Sequence, residues 1–168
     1  ELCWAKLTYN WLCEKFPETK INYVNAGLSG TPSTLGVMRA ERDLYSEYTP
    51  DIVFIEFAVN DGQTATDKTS YESLVKKILS KENNPAVVLF FTVIESGYTC
   101  EKHMSEIGNY YNLPMISLNN SLEPEFNAGT MKWSDYSDDQ SHPNVWGHSM
   151  VKDLVANFFE KALKKKKK

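Results

Sequence analysis

Asp51-Ile52-Val53-Phe54-Ile55-Glu56-Phe57 runs directly into Ala58-Val59-Asn60-Asp61-Gly62. The first run is nearly continuous in apolar, β-prone side chains, the pattern of a parallel strand covered on both faces. The second is polar and turn-forming, so it takes the chain out of the strand at its carboxyl end. On the far side, Ser70 to Lys81 places Leu74, Val75, Ile78 and Leu79 at helical spacing. On the near side, Leu35 to Tyr48 reads as a helix stopped by Thr49-Pro50. The same alternation continues outward. Ala86 to Val93 is a second strand, Cys100 to Tyr111 a helix, and Pro114 to Leu118 a short strand, followed by a long loop and a last helix from Asn144 to Leu163. Upstream, Glu1 to Phe16 has a helical rhythm closed by Pro17, and Ile21 to Val24 is a short β-prone run ending at Asn25-Ala26-Gly27. Strands alternating with helices predict an α/β domain with a mostly parallel sheet and helices on both faces. In such sheets functional groups collect on loops at the carboxyl ends of strands.

The chain of 168 residues suits one domain over residues 1–163 with a lysine tail at 164–168. Its net charge is −4 even with that five-lysine tail, so the body is acidic and does not suggest nucleic-acid binding. No apolar run approaches the roughly 20 residues needed to cross a bilayer, so no membrane partner is expected. Cys3, Cys13 and Cys100 are an odd set without metal-ligand spacing, which implies no disulfide framework and leans weakly to a reducing, cytoplasmic compartment.

Asp138-Asp139-Gln140-Ser141-His142-Pro143-Asn144 carries the clearest chemistry. A carboxylate sits three residues before a histidine, and the histidine directly before a proline able to occupy the first helical position. His142 is therefore expected to cap the last helix, with Asp139 in reach of its ring, an arrangement suited to taking up and returning a proton. Asp138 is the rival acid. His148 falls within the final helix and His103 on a surface helix, and both read as ordinary. Cys100 and His103 lack further ligands at sensible spacing, so neither metal nor cofactor is expected. Trp133 and Tyr136 lie just before the acid and base, as core plugs or as an aromatic wall for substrate.

Asn25-Ala26-Gly27-Leu28-Ser29-Gly30-Thr31, Glu56-Phe57-Ala58-Val59-Asn60-Asp61 and Asp139-Gln140-Ser141-His142-Pro143 together resemble, in order and spacing, three of the four sequence blocks of the SGNH (GDSL-like) hydrolases. The resemblance covers essentially the whole chain. It implies a three-layer α/β/α sandwich with a flavodoxin-like parallel sheet of order 2-1-3-4-5. It implies that Gly30 and Asn60 donate to an oxyanion, that His142 is the base, and that Asp139 is its acid, with a serine as nucleophile. Phe54-Ile55-Glu56-Phe57-Ala58-Val59-Asn60-Asp61 and Trp133-Ser134-Asp135-Tyr136-Ser137-Asp138-Asp139 resemble bacterial carbohydrate O-acetylesterases, including mannan-type deacetylases, so the implied partner is a small-molecule or oligosaccharide ester. A lysophospholipase or thioesterase of the same fold is the alternative enzyme, and a non-catalytic carbohydrate-binding relative or inactive fragment the alternative outside enzymes.

The block that carries the family's nucleophilic serine is absent between Glu1 and Lys168, and neither Ser29 nor Ser33 stands in a comparable segment. In the implied order the strand belonging to that block lies between Ile21–Val24 and Ile52–Phe57. The expectation is a polypeptide extending upstream by on the order of 20 to 40 residues, enough for a strand and a loop. The serine would then lie upstream of Glu1.

Overall fold

A computed structural model describes residues 3–166. The elements in order are α1 (Trp4–Lys15), α2 (Ser33–Tyr45), β1 (Ile52–Ile55), α3 (Ala65–Leu79), β2 (Ala86–Phe91), α4 (Glu101–Tyr110), β3 (Met115–Ser117), α5 (Leu118–Ala128), α6 (Trp133–Tyr136) and α7 (Val145–Lys166). They fall into two compact units, one of residues 24–121 and one of residues 3–23 with 122–166.

The first unit holds a parallel sheet of order β1-β2-β3. Ile52 pairs with Ala86 and Ile55 with Leu89, while Leu89 in turn pairs with Met115 and Phe91 with Ser117. Successive parallel strands joined through a helix are the βαβ arrangement, and their order reproduces positions 3-4-5 of the expected sheet. β2, paired on both sides, is buried from Val87 to Phe91. β1 is buried only at Val53 and Ile55, and Ile52 is exposed. Strand apolarity therefore tracks position in the sheet, as the central strand has neighbours on both edges and both faces. Tyr71, Leu74, Val75 and Ile78 of α3 and Met104 and Ile107 of α4 pack with Val53, Ile55, Leu89 and Phe91 into one core. α3 begins with a capping box in which the Thr64 side chain accepts from the Asp67 N–H and the Asp67 carboxylate accepts from the Thr64 N–H, satisfying two donors of the first turn.

The second unit rests on α1 against α7. Trp11 stacks obliquely on Phe159 with ring centroids 6.2 Å apart, and Lys15 pairs with Glu160 at 3.1 Å. Val151 and Val155 are fully buried on α7. The Trp4 backbone N–H donates to His148 Nδ1 at 3.3 Å, so that imidazole ties the start of α1 to α7. Among the described residues no helix is long and apolar enough to cross a membrane.

Three expectations need correction. Ile21–Val24 forms no strand: residues 20–28 have no regular structure, and the Tyr23 ring instead lies 5.4 Å from that of Tyr9. A strand exists only through its ladder, and none of the three strands pairs with this run. The long loop before the last helix contains α5 and α6. Pro124 inside α5, together with a polar start at Asn119-Asn120-Ser121, disguises the helix, whose first turn is held by Ser117 Oγ accepting the Asn120 N–H at 3.1 Å. Finally, His142 does not cap the last helix. Asn144 does, accepting the Gly147 N–H on Oδ1 at 2.9 Å, with α7 starting at Val145.

Candidate functional site

The Asp139–His142 turn lies in the second unit, between α6 and α7. An isolated antiparallel bridge joins Ser137 to Pro143 and closes the loop at its neck. Asn144 N–H donates to the Tyr136 carbonyl at 2.9 Å, which reinforces the closure. Inside it, Asp139 Oδ1 accepts the backbone N–H groups of Ser141 and His142, each at 2.6 Å, in the Asx-turn geometry open to a short carboxylate. That leaves Oδ2, which meets His142 Nδ1 at 2.8 Å. One carboxylate therefore holds both the backbone and the ring of the same histidine.

An ionised carboxylate only accepts, so the ring proton of His142 lies on Nδ1 and Nε2 presents a lone pair. The donated N–H of His142, then that of Ser141, then the ring of His142 hold the Asp139 carboxyl far below the usual carboxylate range. The group is thus ionised wherever the imidazole can act as a base. The His142 side chain is 77% exposed and that of Asp139 55%. Asp138, the rival acid, accepts from the Asn144 amide at 3.1 Å. It is Asp139 that pairs with the imidazole.

Ser137 organises this loop and carries no signal in the sequence. It is buried, its Oγ lies 2.6 Å from the His142 carbonyl and 2.8 Å from that of Asp139, and it accepts the Asp139 N–H at 3.2 Å. Trp133 Nε1 donates to the same Asp139 carbonyl at 2.6 Å, with its ring half-buried between those of Phe126 and Tyr136. Tyr136 is 1% exposed. Its ring is buried in the manner of a core plug, whereas Trp133 is only partly buried.

Gly30 and Asn60 lie in the first unit. Gly30 takes φ +67° in the turn before α2, a left-handed conformation that favours glycine, and open space surrounds the place a Cβ would take. Asn60 is exposed in the turn that follows β1, where the Asn60 and Asp61 N–H groups both donate to the Phe57 carbonyl at 3.0 Å. The turn is clasped from several sides. Glu56 Oε1 accepts the Ala58 N–H at 3.0 Å and the Thr92 hydroxyl at 2.6 Å, which ends β1 earlier than its apolar run suggests. Burial pushes the Glu56 carboxyl up, against the lowering effect of Thr92. Cys100 N–H donates to the Ala58 carbonyl at 2.7 Å, and Tyr98 Oη and the Cys100 thiol donate to the Asp61 carbonyl at 2.6 and 3.1 Å. The Tyr98 hydroxyl is pushed up to about 12, first by its hydrogen bond with Cys100.

The structure thus pairs Asp139 with His142 in one unit and braces the loops of Gly30 and Asn60 in the other. Cys100 is engaged with this turn, and among the described residues no cluster of three metal-binding side chains occurs.

The sequence matches the GDSL-like Lipase/Acylhydrolase family over residues 3–150. Among curated proteins none matches the chain. Among solved structures, a two-domain esterase (CEX) active on acetylated mannans is similar over 95% of this chain at 38% identity with a TM-score of 0.90. The chain spans 43% of the length of that protein, which has also been crystallised with mannopentaose. An acetyl xylan esterase, AlAXEase, is similar in fold, with a TM-score of 0.76 at 18% identity over 92% of this chain and 89% of its own. A lipase/acylhydrolase from Enterococcus faecalis shares the fold at a TM-score of 0.65 and 17% identity, over 93% of this chain and 86% of its own. A match covering most of the residues, joined to an Asp-x-x-His turn built as described, decides the assignment: the chain belongs to the GDSL-like lipase/acylhydrolase family.

Proposed function

We propose that the chain supplies the acid-base pair and the oxyanion donors of a serine esterase that removes O-acetyl groups from carbohydrate. The observation that carries this reading is the Asp139–His142 pair, whose hydrogen bond leaves Nε2 free to accept a proton. In the reaction a serine hydroxyl, contributed from outside the three blocks, attacks the ester carbonyl as its proton passes to His142 Nε2. The carbonyl oxygen becomes an oxyanion, and the Gly30 backbone N–H and the Asn60 side-chain amide donate to it. Collapse of the tetrahedral adduct breaks the C–O bond to the sugar, whose oxygen takes the proton from His142. Water then attacks the acyl-serine, again giving its proton to His142, and acetate leaves as the serine is restored.

The substrate class rests on the similarity to an esterase active on acetylated mannans. Trp133, partly buried beside Asp139, offers an aromatic ring of the kind that packs on the apolar face of a pyranose. The test is acetate release from acetylated mannan by the natural polypeptide that carries these residues, alongside acetyl and octanoyl 4-nitrophenyl esters. Release of acetate and a preference for the acetyl ester are the expected results. Preference for octanoyl would favour the lysophospholipase or thioesterase alternative, and mannan binding without turnover the non-catalytic one.

A further inference from the structure

Asp61 follows Asn60 directly, is 3% exposed, and accepts the Ser33 backbone N–H on Oδ1 at 2.6 Å. Ser33 is the first residue of α2, and the residue before it, Pro32, makes no side-chain cap. A helix start leaves its first N–H groups unpaired and carries partial positive charge, so a carboxylate brought in from a distant loop serves there as cap and counter-charge. Only Thr31 and Pro32 separate this bond from Gly30, and none separates it from Asn60. The two loops are otherwise joined to different partners. The Gly30 turn is held by the Thr31 hydroxyl donating to the Leu28 carbonyl at 2.7 Å, and the Asn60 turn by Cys100 and Tyr98.

We infer that Asp61 is a positioning residue which sets the separation of the two oxyanion donors, by locking the start of α2 to the turn after β1. This rests on the proposed roles of Gly30 and Asn60. A donor pair stabilises an oxyanion only when both N–H groups converge on one point, and a misplacement of about 1 Å can cost 100-fold in rate. Asp61 is buried, with Oδ1 on the Ser33 N–H. It acts through the backbone of Ser33 and of its own neighbour.

The experiment uses 4-nitrophenyl acetate and the natural polypeptide. Asp61→Ala removes the acceptor and is expected to lower kcat by about 10- to 100-fold with KM nearly unchanged, because the lost interaction is made in the transition state. Asp61→Asn keeps an oxygen in place for the Ser33 N–H and should restore kcat to within about fivefold of wild type, charge assistance alone being lost. Ser33→Pro removes the same bond from its other end. Proline is tolerated at the first helical position, and Pro32 already has the extended backbone (ψ 167°) that a following proline requires. It should lower kcat similarly, and the double variant Ser33→Pro/Asp61→Ala should be no worse than the poorer single one. Ser33→Pro also serves as the test if Asp61→Ala fails to fold. An unchanged kcat in either single variant, a loss confined to KM, or additive losses in the double variant would overturn the positioning role while leaving the esterase reading intact. Absence of turnover in the wild type would instead remove the esterase reading and this role together.

Discussion

His142 is held twice by Asp139: its backbone N–H donates to Oδ1 at 2.6 Å and its ring Nδ1 meets Oδ2 at 2.8 Å. The histidine cannot swing away from its acid without breaking the turn that both residues form. Orientation of the His142 ring is therefore a local property of four residues.

The first prediction separates the two histidines of this region. His142→Ala should abolish ester turnover in the natural polypeptide, since it removes the proposed base that Asp139 holds. His148→Ala should leave most of the activity but cost about 1 kcal/mol of stability, the usual worth of one hydrogen bond, through loss of the Trp4 N–H acceptor. Steady-state rates and denaturant midpoints on both variants check this, and equal loss of activity would contradict the assignment.

Asp139→Asn tests the tautomer. An amide oxygen can still accept the Ser141 and His142 N–H groups, so the turn should persist, but the amide N–H would face Nδ1 as a donor. The proton would then move to Nε2 and the base would be blocked, with kcat falling by about 1,000- to 10,000-fold. The imidazole 15N shifts report the tautomer directly.

The pH dependence of the same turn has a definite sign. The folded-state pKa of Asp139 is lowered, first by the His142 N–H, so the turn's stabilisation is fully present above the ordinary aspartate value of about 4. It is lost only as pH falls through the lowered value. Carboxyl 13C titration should show Asp139 still ionised at a pH where exposed aspartates are half protonated, and a midpoint near 4 would refute the claim.

Asn60→Ala should lower kcat by about 100- to 1,000-fold, the cost of one oxyanion donor, without lowering thermal stability much, because its side chain is exposed. Single-turnover kinetics with an activated ester would show the acylation step slowed.

Gly147→Ala should destabilise the protein by about 1 to 3 kcal/mol, as overpacking does. A Cβ there would run into the Tyr136 carbonyl, which also accepts the Asn144 N–H that closes the Asp139–His142 loop. Thermal unfolding measures the loss, and the His142 amide resonance should broaden or shift with it.

Several features were legible in the chain because they depend on near neighbours. The apolar runs of β1 and β2, the helical spacing of α3, and the three-residue step from Asp139 to His142 are all local, and each element formed within or across its expected stretch, although α3 starts five residues earlier, at Ala65, and β1 and β2 stop short, at Ile55 and Phe91. What failed to show was what depends on distant partners. Ile21–Val24 has strand-forming side chains but no strand beside it, and α5 forms in spite of Pro124. Tyr136 and Trp133 looked equivalent, until packing buried one and left the other partly open.

By itself the sequence determined the alternation of strand and helix, the family, and the identity of the acid beside His142, since periodicity and short-range spacing survive without knowledge of the fold. Only the tertiary structure decided that Asn144 and not His142 caps α7, that Ser137 knits the loop, and that Asp61 reaches across to the start of α2. The Asp61 carboxylate is buried and its bond spans 28 residues, so its partner is set by the packing of elements far apart along the chain, while Asn144 and Ser137 bond within their own turn, and which of its polar groups pair there is set by how the loop closes.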